Sequence, residues 1–222
     1  MTRHSVAVFA IALSGVAATA RAQSSPATTS FLMARTGVRT DAPLVGTYRY
    51  LEFFQARGDW VLPDFGALDF YHDTYREFFL GAGRTLYHST AVTWVEELYF
   101  AQATGSLAQS ARYLWPWTMV DVRFMSQLTG EVVYFPYVPL NRSAHFQHVL
   151  ERAKVEYAPN RVWKLGAGYG AYQDRGQPWQ NKPFVTTTLS TNVGSFEFWL
   201  QKMPGGAQVQ LRYQLAWHSG GG

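Results

Sequence analysis

Residues 207–217 read AQVQLRYQLAW. The odd positions are Ala207, Val209, Leu211, Tyr213, Leu215 and Trp217; the even ones are Gln208, Gln210, Arg212, Gln214 and Ala216. Successive side chains of a strand point to opposite faces, so this stretch predicts a strand with one apolar face and one almost wholly polar face. A ribbon of this kind fits between two unlike media, with lipid on one side and a wet or polar lumen on the other. The rival arrangement is a soluble periplasmic β-barrel or sandwich that binds an apolar ligand. It requires Leu211, Tyr213 and Leu215 to point inward and Gln210, Arg212 and Gln214 to meet water.

The same alternation recurs upstream. In residues 162–174, Trp163, Leu165, Ala167, Tyr169 and Ala171 share one face, and Lys164, Gly166, Gly168, Gly170, Tyr172 and Asp174 the other. In residues 145–158, Val149, Ala153, Val155 and Tyr157 stand opposite His148, Arg152, Lys154 and Glu156. A three-residue loop at Pro159-Asn160-Arg161 predicts a hairpin with Glu156 opposite Lys164, Lys154 opposite Gly166 and Arg152 opposite Gly168. The inward glycines then leave space for long basic side chains. A tight turn at Pro204-Gly205-Gly206 sets Glu197 near Arg212. The motif L-G-A-G-x-x-x-Y occurs at Leu80 to Tyr87 and again at Leu165 to Tyr172. Its paired inward glycines predict a narrow lumen that needs space in two places.

Residues 207–217, alternating and closing on an aromatic side chain, resemble the C-terminal strand of bacterial outer-membrane barrels. Trp217 stands where those proteins end in Phe, and the tail His218-Ser219-Gly220-Gly221-Gly222 is a departure from the pattern. The resemblance implies a transmembrane antiparallel up-and-down β-barrel. Its surroundings would be outer-membrane lipid and lipopolysaccharide, and the barrel-assembly machinery would insert it.

Eleven strand candidates follow from the alternation and turn signals, from 44–56 to 206–218. Single-chain barrels of this kind have an even number, so either a further strand lies near residues 31–40 or two early candidates are one. About 12 strands are expected, with about 10 as the alternative. Turns on the side of residues 88–89, 126–128, 159–161 and 192–193 are short, whereas 105–110 and 175–181 are longer. The first group is expected to face the periplasm.

Arg3 and His4, the apolar run at residues 5–20 and Ala20-Arg21-Ala22 form a cleavable export signal over residues 1–22. The organisation read from the sequence is signal peptide 1–22, leader 23–43 with room for a first short strand, barrel 44–218 and flexible tail 219–222. Loss of residues 1–22 removes Arg3 and Arg21 and no acid, so the formal charge falls from +4 to +2 and gives no hint of a nucleic-acid partner. Cys is absent, which excludes disulfides, thiolate metal sites and a lipoprotein anchor. No later segment has the apolar length of a membrane helix, and backbone amides in hydrocarbon must be paired, so a mature chain in a membrane has to close as a barrel.

The charged residues expected to line the lumen are Arg152, Lys154, Glu156, Lys164, Glu197 and Arg212, either plugging it with salt bridges or setting its charge selectivity. Eight Trp and thirteen Tyr suit two membrane interfaces. Tyr113, Trp115, Trp117, Trp163, Tyr213 and Trp217 are the expected interfacial aromatics. An outer-membrane lipid-modifying enzyme is the second rival, since some such barrels hydrolyse lipids with a Ser/His pair. Tyr87-His88-Ser89-Thr90 and Ser143-Ala144-His145 with His148 come nearest, and neither matches the His-x-Ser-Asn pattern of those enzymes. His145 and His148 fall on opposite faces of a strand, as do Glu96 and Glu97. No catalytic residue, metal or cofactor is expected. The function expected is that of an outer-membrane barrel, structural or conducting a narrow stream of small solutes.

Overall fold

The computed structural model describes residues 27–41, 47–70 and 74–219. The expected signal peptide, the start of the leader and the last three residues of the tail lie outside the described residues. Twelve strands follow one another: β1 (Thr28–Arg39), β2 (Thr47–Arg57), β3 (Trp60–Phe70), β4 (Tyr75–His88), β5 (Val92–Thr104), β6 (Arg112–Met125), β7 (Leu128–Pro139), β8 (Gln147–Tyr157), β9 (Trp163–Asp174), β10 (Gln180–Thr191), β11 (Gly194–Met203) and β12 (Gly206–Ser219). Each pairs antiparallel with its neighbours in sequence, and β12 returns to β1 to close the barrel. The missing partner of the eleven candidates is thus a first strand, inside the segment 23–43 expected to be mainly leader. It begins the barrel at Thr28, and its register with β12 sets Phe31 against Ala216 and Arg35 against Arg212.

The faces divide as the medium demands. Outward-pointing Leu80, Leu98, Phe198, Leu200 and Val209 are about half exposed, whereas Gln208 and Arg212, one residue away from Val209 or Leu211, are each 8 % exposed inside. A soluble barrel would reverse these faces, so that rival fails. An apolar exterior encircling a closed hydrogen-bonded sheet is the solution that lets backbone cross hydrocarbon. Turns at 58–59, 89–91, 126–127 and 192–193 are short and lie at the end that carries Thr28 and Ser219; connections 105–111, 140–146 and 175–179 at the other end are longer.

At the β11–β12 turn the reading holds in detail. Pro204-Gly205 joins the strands, Gly205 takes φ +86°, and Glu197 pairs directly with Arg212. The β8–β9 register differs from expectation by two residues: Glu156 faces Gly166, not Lys164, and Lys154 faces Gly168, not Gly166. The cause is the turn. Asn160 accepts through Oδ1 from the backbone N–H groups of Val162 and Trp163, so the loop runs from 158 to 162 instead of closing over three residues. A two-residue shift preserves the faces, so Glu156 and Lys164 still point into the same lumen.

A second irregularity changes the faces. Leu150 pairs with Ala171 and Ala153 with Tyr169, so Glu151 and Arg152 together oppose Gly170. This β-bulge turns both charges inward, where plain alternation would leave Glu151 in lipid.

Candidate functional site

An unbroken chain of ion pairs crosses the middle of the lumen. Arg35 on β1 and Arg212 on β12 both reach Glu151 on β8, the second at 2.9 Å. Arg152 Nη1 stands 2.9 Å from Glu151 Oε2, and its Nε donates to Glu131 on β7. Arg212 also meets Glu197 on β11 at 3.2 Å. Lys154 on β8 joins Glu197 at 2.9 Å and Glu156 at 3.2 Å. β8 and β11 are separated by two strands, so these pairs follow chords across the interior. They have room because β9 and β10 present small side chains inward, Gly166, Gly168 and Gly170 beside Thr186 and Thr188. The planar forks of Arg152 and Arg212 each serve two carboxylates at once.

The wall made by β2, β3, β5 and β6 has a different character. Glu52, Asp64, Glu97 and Asp121 line the same cavity. The Tyr99 hydroxyl lies within hydrogen-bond distance of both Asp64 Oδ2, at 2.7 Å, and Glu97. Both copies of the glycine motif make space for such neighbours. A Cβ at Gly81 would strike the Tyr99 ring, one at Gly83 the Glu97 side chain, one at Gly166 the Thr186 hydroxyl and one at Gly168 the Phe184 ring. Asp64 owes its inward aim to a bulge at Leu62-Pro63, where Val61 pairs with Gly83 but Asp64 with Gly81.

Towards the longer loops the interior fills with rings. Phe79, Tyr99, Tyr113, Trp115 and Tyr137 pack edge to face or tilted, with centroids 4.9–5.9 Å apart. Glu77 is enclosed among them and accepts from the hydroxyls of Tyr75 and, at 3.5 Å, Tyr137. The charged lumen below them encloses a cavity of about 140 Å³, well below what a drug-sized ligand occupies.

Of the expected lumen residues, Arg152, Lys154, Glu156, Glu197 and Arg212 join the ion-pair chain, and Lys164 lines the same cavity. The interfacial set divides. Trp163 and Trp217 are exposed on the outside near the short-turn end, and Tyr213, on the outer face, donates to the Val193 carbonyl there at 2.5 Å. Tyr113, Trp115 and Trp117 require correction: they face the lumen, Tyr113 and Trp115 being 3 % and 5 % exposed. Both faces of β6 are apolar, since Leu114, Pro116 and Val120 supply the outer one, so alternation carried no preference. Alternation also left Arg35, Glu52, Asp64, Asp121, Glu131 and Glu151 without a role. The signal that could have found Glu151 is its position beside Arg152, two charges in succession in a strand that elsewhere alternates.

Glu96, on the outer face, accepts from Trp94 Nε1 at 2.6 Å and from the Thr118 hydroxyl at 2.9 Å, a few residues from the short turn at 89–91. The residues considered for lipid hydrolysis do not assemble. Ser89 Oγ caps the turn through Val92, His88 contacts Thr93, His145 reaches Asp174, and His148 reaches Tyr134. Among the described residues no cluster of His, Cys, Asp and Glu could hold a metal.

No family model and no curated sequence matches this chain. Solved structures share its fold at low identity. The KdgM porin matches with a TM-score of 0.64 at 9 % identity, over 85 % of this chain and 99 % of the porin. The NanC porin gives 0.60 at 8 % identity, over 85 % and 99 %. An outer-membrane channel from Pseudomonas putida F1 gives 0.61 at 13 % identity, over 88 % and 97 %. The closed twelve-stranded barrel of this chain therefore shares its fold with those two porins and that channel.

Proposed function

We propose that the protein is an outer-membrane channel for small solutes, exported by the signal peptide at residues 1–22. The observation that carries the reading is the pairing of an apolar exterior with a charged interior around one narrow cavity, in a closed twelve-stranded barrel. Ionisable side chains enclosed within a membrane protein mark the pathways of ions and polar solutes. The structural neighbours support the reading, being porins and a channel of similar fold.

The exposed outer rings Trp60, Trp94, Trp163 and Trp217, with Tyr213, lie near the short-turn end and suit a membrane–water interface. In this orientation the longer loops face outward toward lipopolysaccharide, and β12 carries the signal read by the barrel-assembly machinery. The chain acts by passage, not by catalysis.

Two measurements test this. The mature chain is expected in the outer-membrane fraction with heat-modifiable migration on gels, and purified barrels are expected to conduct in planar bilayers. Recovery in the periplasm without detergent, or folded barrels that stay electrically silent, would refute it.

A further inference from the structure

Five basic and eight acidic side chains line the cavity. Arg35, Arg152, Lys154 and Arg212 are engaged within the lumen by Glu131, Glu151, Glu156 and Glu197. The other four acids, Glu52, Asp64, Glu97 and Asp121, have no basic side chain within ion-pair distance among the described residues. They stand on one wall, on β2, β3, β5 and β6, so the surplus is one-sided.

A second observation marks the spot. Asp64 is 2 % exposed; its Oδ2 accepts from Tyr99, while the equally enclosed Oδ1 has no donor. Buried acceptors are almost always paired, so this oxygen, on a side chain that lines the cavity beside Glu52 and Glu97, is open to a donor from outside the chain. The rings of Tyr50, Phe54, Tyr99 and Trp117 border the same cavity, and aromatic faces attract cations, most strongly where water is scarce.

We infer that the channel selects cations over anions, and that Glu52, Asp64 and Glu97 with their flanking rings receive an ammonium or guanidinium group of a small solute in transit. The inference rests on the channel reading and names its cargo class. An anionic sugar such as the oligogalacturonate in the KdgM complex would meet a wall of carboxyls that no ion pair engages. The ion-pair chain contributes by neutralising its own side, which leaves the acidic wall to set the sign of the field.

The test is the reversal potential of the purified full barrel in a planar bilayer under a KCl gradient. A preference of about tenfold for K⁺ over Cl⁻ is expected, the lower end of what a charged cleft concentrates. Replacing KCl by guanidinium chloride on one side is expected to hold or raise the cation permeability. The double substitution Asp64→Asn with Glu97→Gln should reduce the K⁺ preference severalfold. Its folding is checked by heat-modifiable migration, and Glu52→Gln alone serves if the double variant does not fold. Wild-type current that is anion-selective or indifferent to sign would overturn this inference while leaving the channel intact. Absence of any current would instead remove the channel reading and this inference with it. Cation selectivity unchanged in the folded variants would overturn the assignment to these carboxyls.

Discussion

Replacing Glu151 by leucine has opposite consequences for a lipid-facing and a lumen-facing side chain. If regular alternation held through β8, Glu151 would touch hydrocarbon, and leucine would stabilise the barrel. In the bulged strand Glu151 is instead the hub of three arginines. After Glu151→Leu, Arg152 keeps Glu131 and Arg212 keeps Glu197, but Arg35 keeps neutral neighbours, among them the Tyr50 ring at 4.6 Å and the Met33 sulfur, and no ion-paired carboxylate. One enclosed guanidinium is therefore left without a carboxylate. Breaking a buried pair from one side costs about 3–5 kcal/mol, and the two arginines that keep partners argue for the lower end, about 3 kcal/mol. The isosteric Glu151→Gln should lose less, about 2 kcal/mol, because its amide oxygen still accepts one bond. The assay is equilibrium unfolding in denaturant from lipid vesicles, comparing midpoints at unchanged slope. A Glu151→Leu barrel as stable as wild type, or more so, would show that the side chain faces lipid and that β8 alternates without the bulge.

Further outcomes follow from the same geometry. Gly83→Ala should destabilise by about 1–3 kcal/mol, because the new Cβ presses on the Glu96 carbonyl as well as on Glu97; the same unfolding assay checks it. Leu98→Arg, outward and flanked on the sheet by Pro116 and Ala82, should cost about 2–4 kcal/mol or block insertion, read as loss of heat-modifiable migration. Asp41, at the end with the longer loops, is held below the usual carboxylate range by its hydrogen bond from Arg39 at 2.5 Å. The stabilisation this pair gives is therefore present above the ordinary carboxylate pKa and lost as pH falls through the lowered one. An NMR titration of Asp41 should show the low midpoint in wild type and a return to the ordinary range in Arg39→Gln.

How much was legible depended on whether the two faces of each strand differed. Strand β12 alternates without exception through Leu215, and its orientation and its Glu197–Arg212 contact both followed from the residues. Strand β1, with Phe31, Met33 and Arg35 inward and Leu32, Ala34 and Val38 outward, mixes polar and apolar on the inner face and escaped alternation as a firm element. The aromatic interior masks the two faces in another way. Where the lumen is filled by rings, the inner face is as apolar as the outer one, and Tyr113 and Trp115 looked suited to lipid. The bulges at Leu62-Pro63 and Glu151-Arg152 reset the alternation, so the two residues they redirect, Asp64 and Glu151, were unassigned although each is central to the lumen.

Eleven of the twelve pairings join strands adjacent in sequence, each reachable by a local hairpin; the twelfth joins Thr28 to Ser219. Contacts of such long range are slow to form, and until this one is made both terminal strands present bare amides and carbonyls. The seam between β1 and β12 is therefore where biogenesis is exposed to failure. A cysteine pair introduced across Ala34 and Tyr213, oxidised at intervals during refolding into vesicles, would time the last event in the making of the barrel.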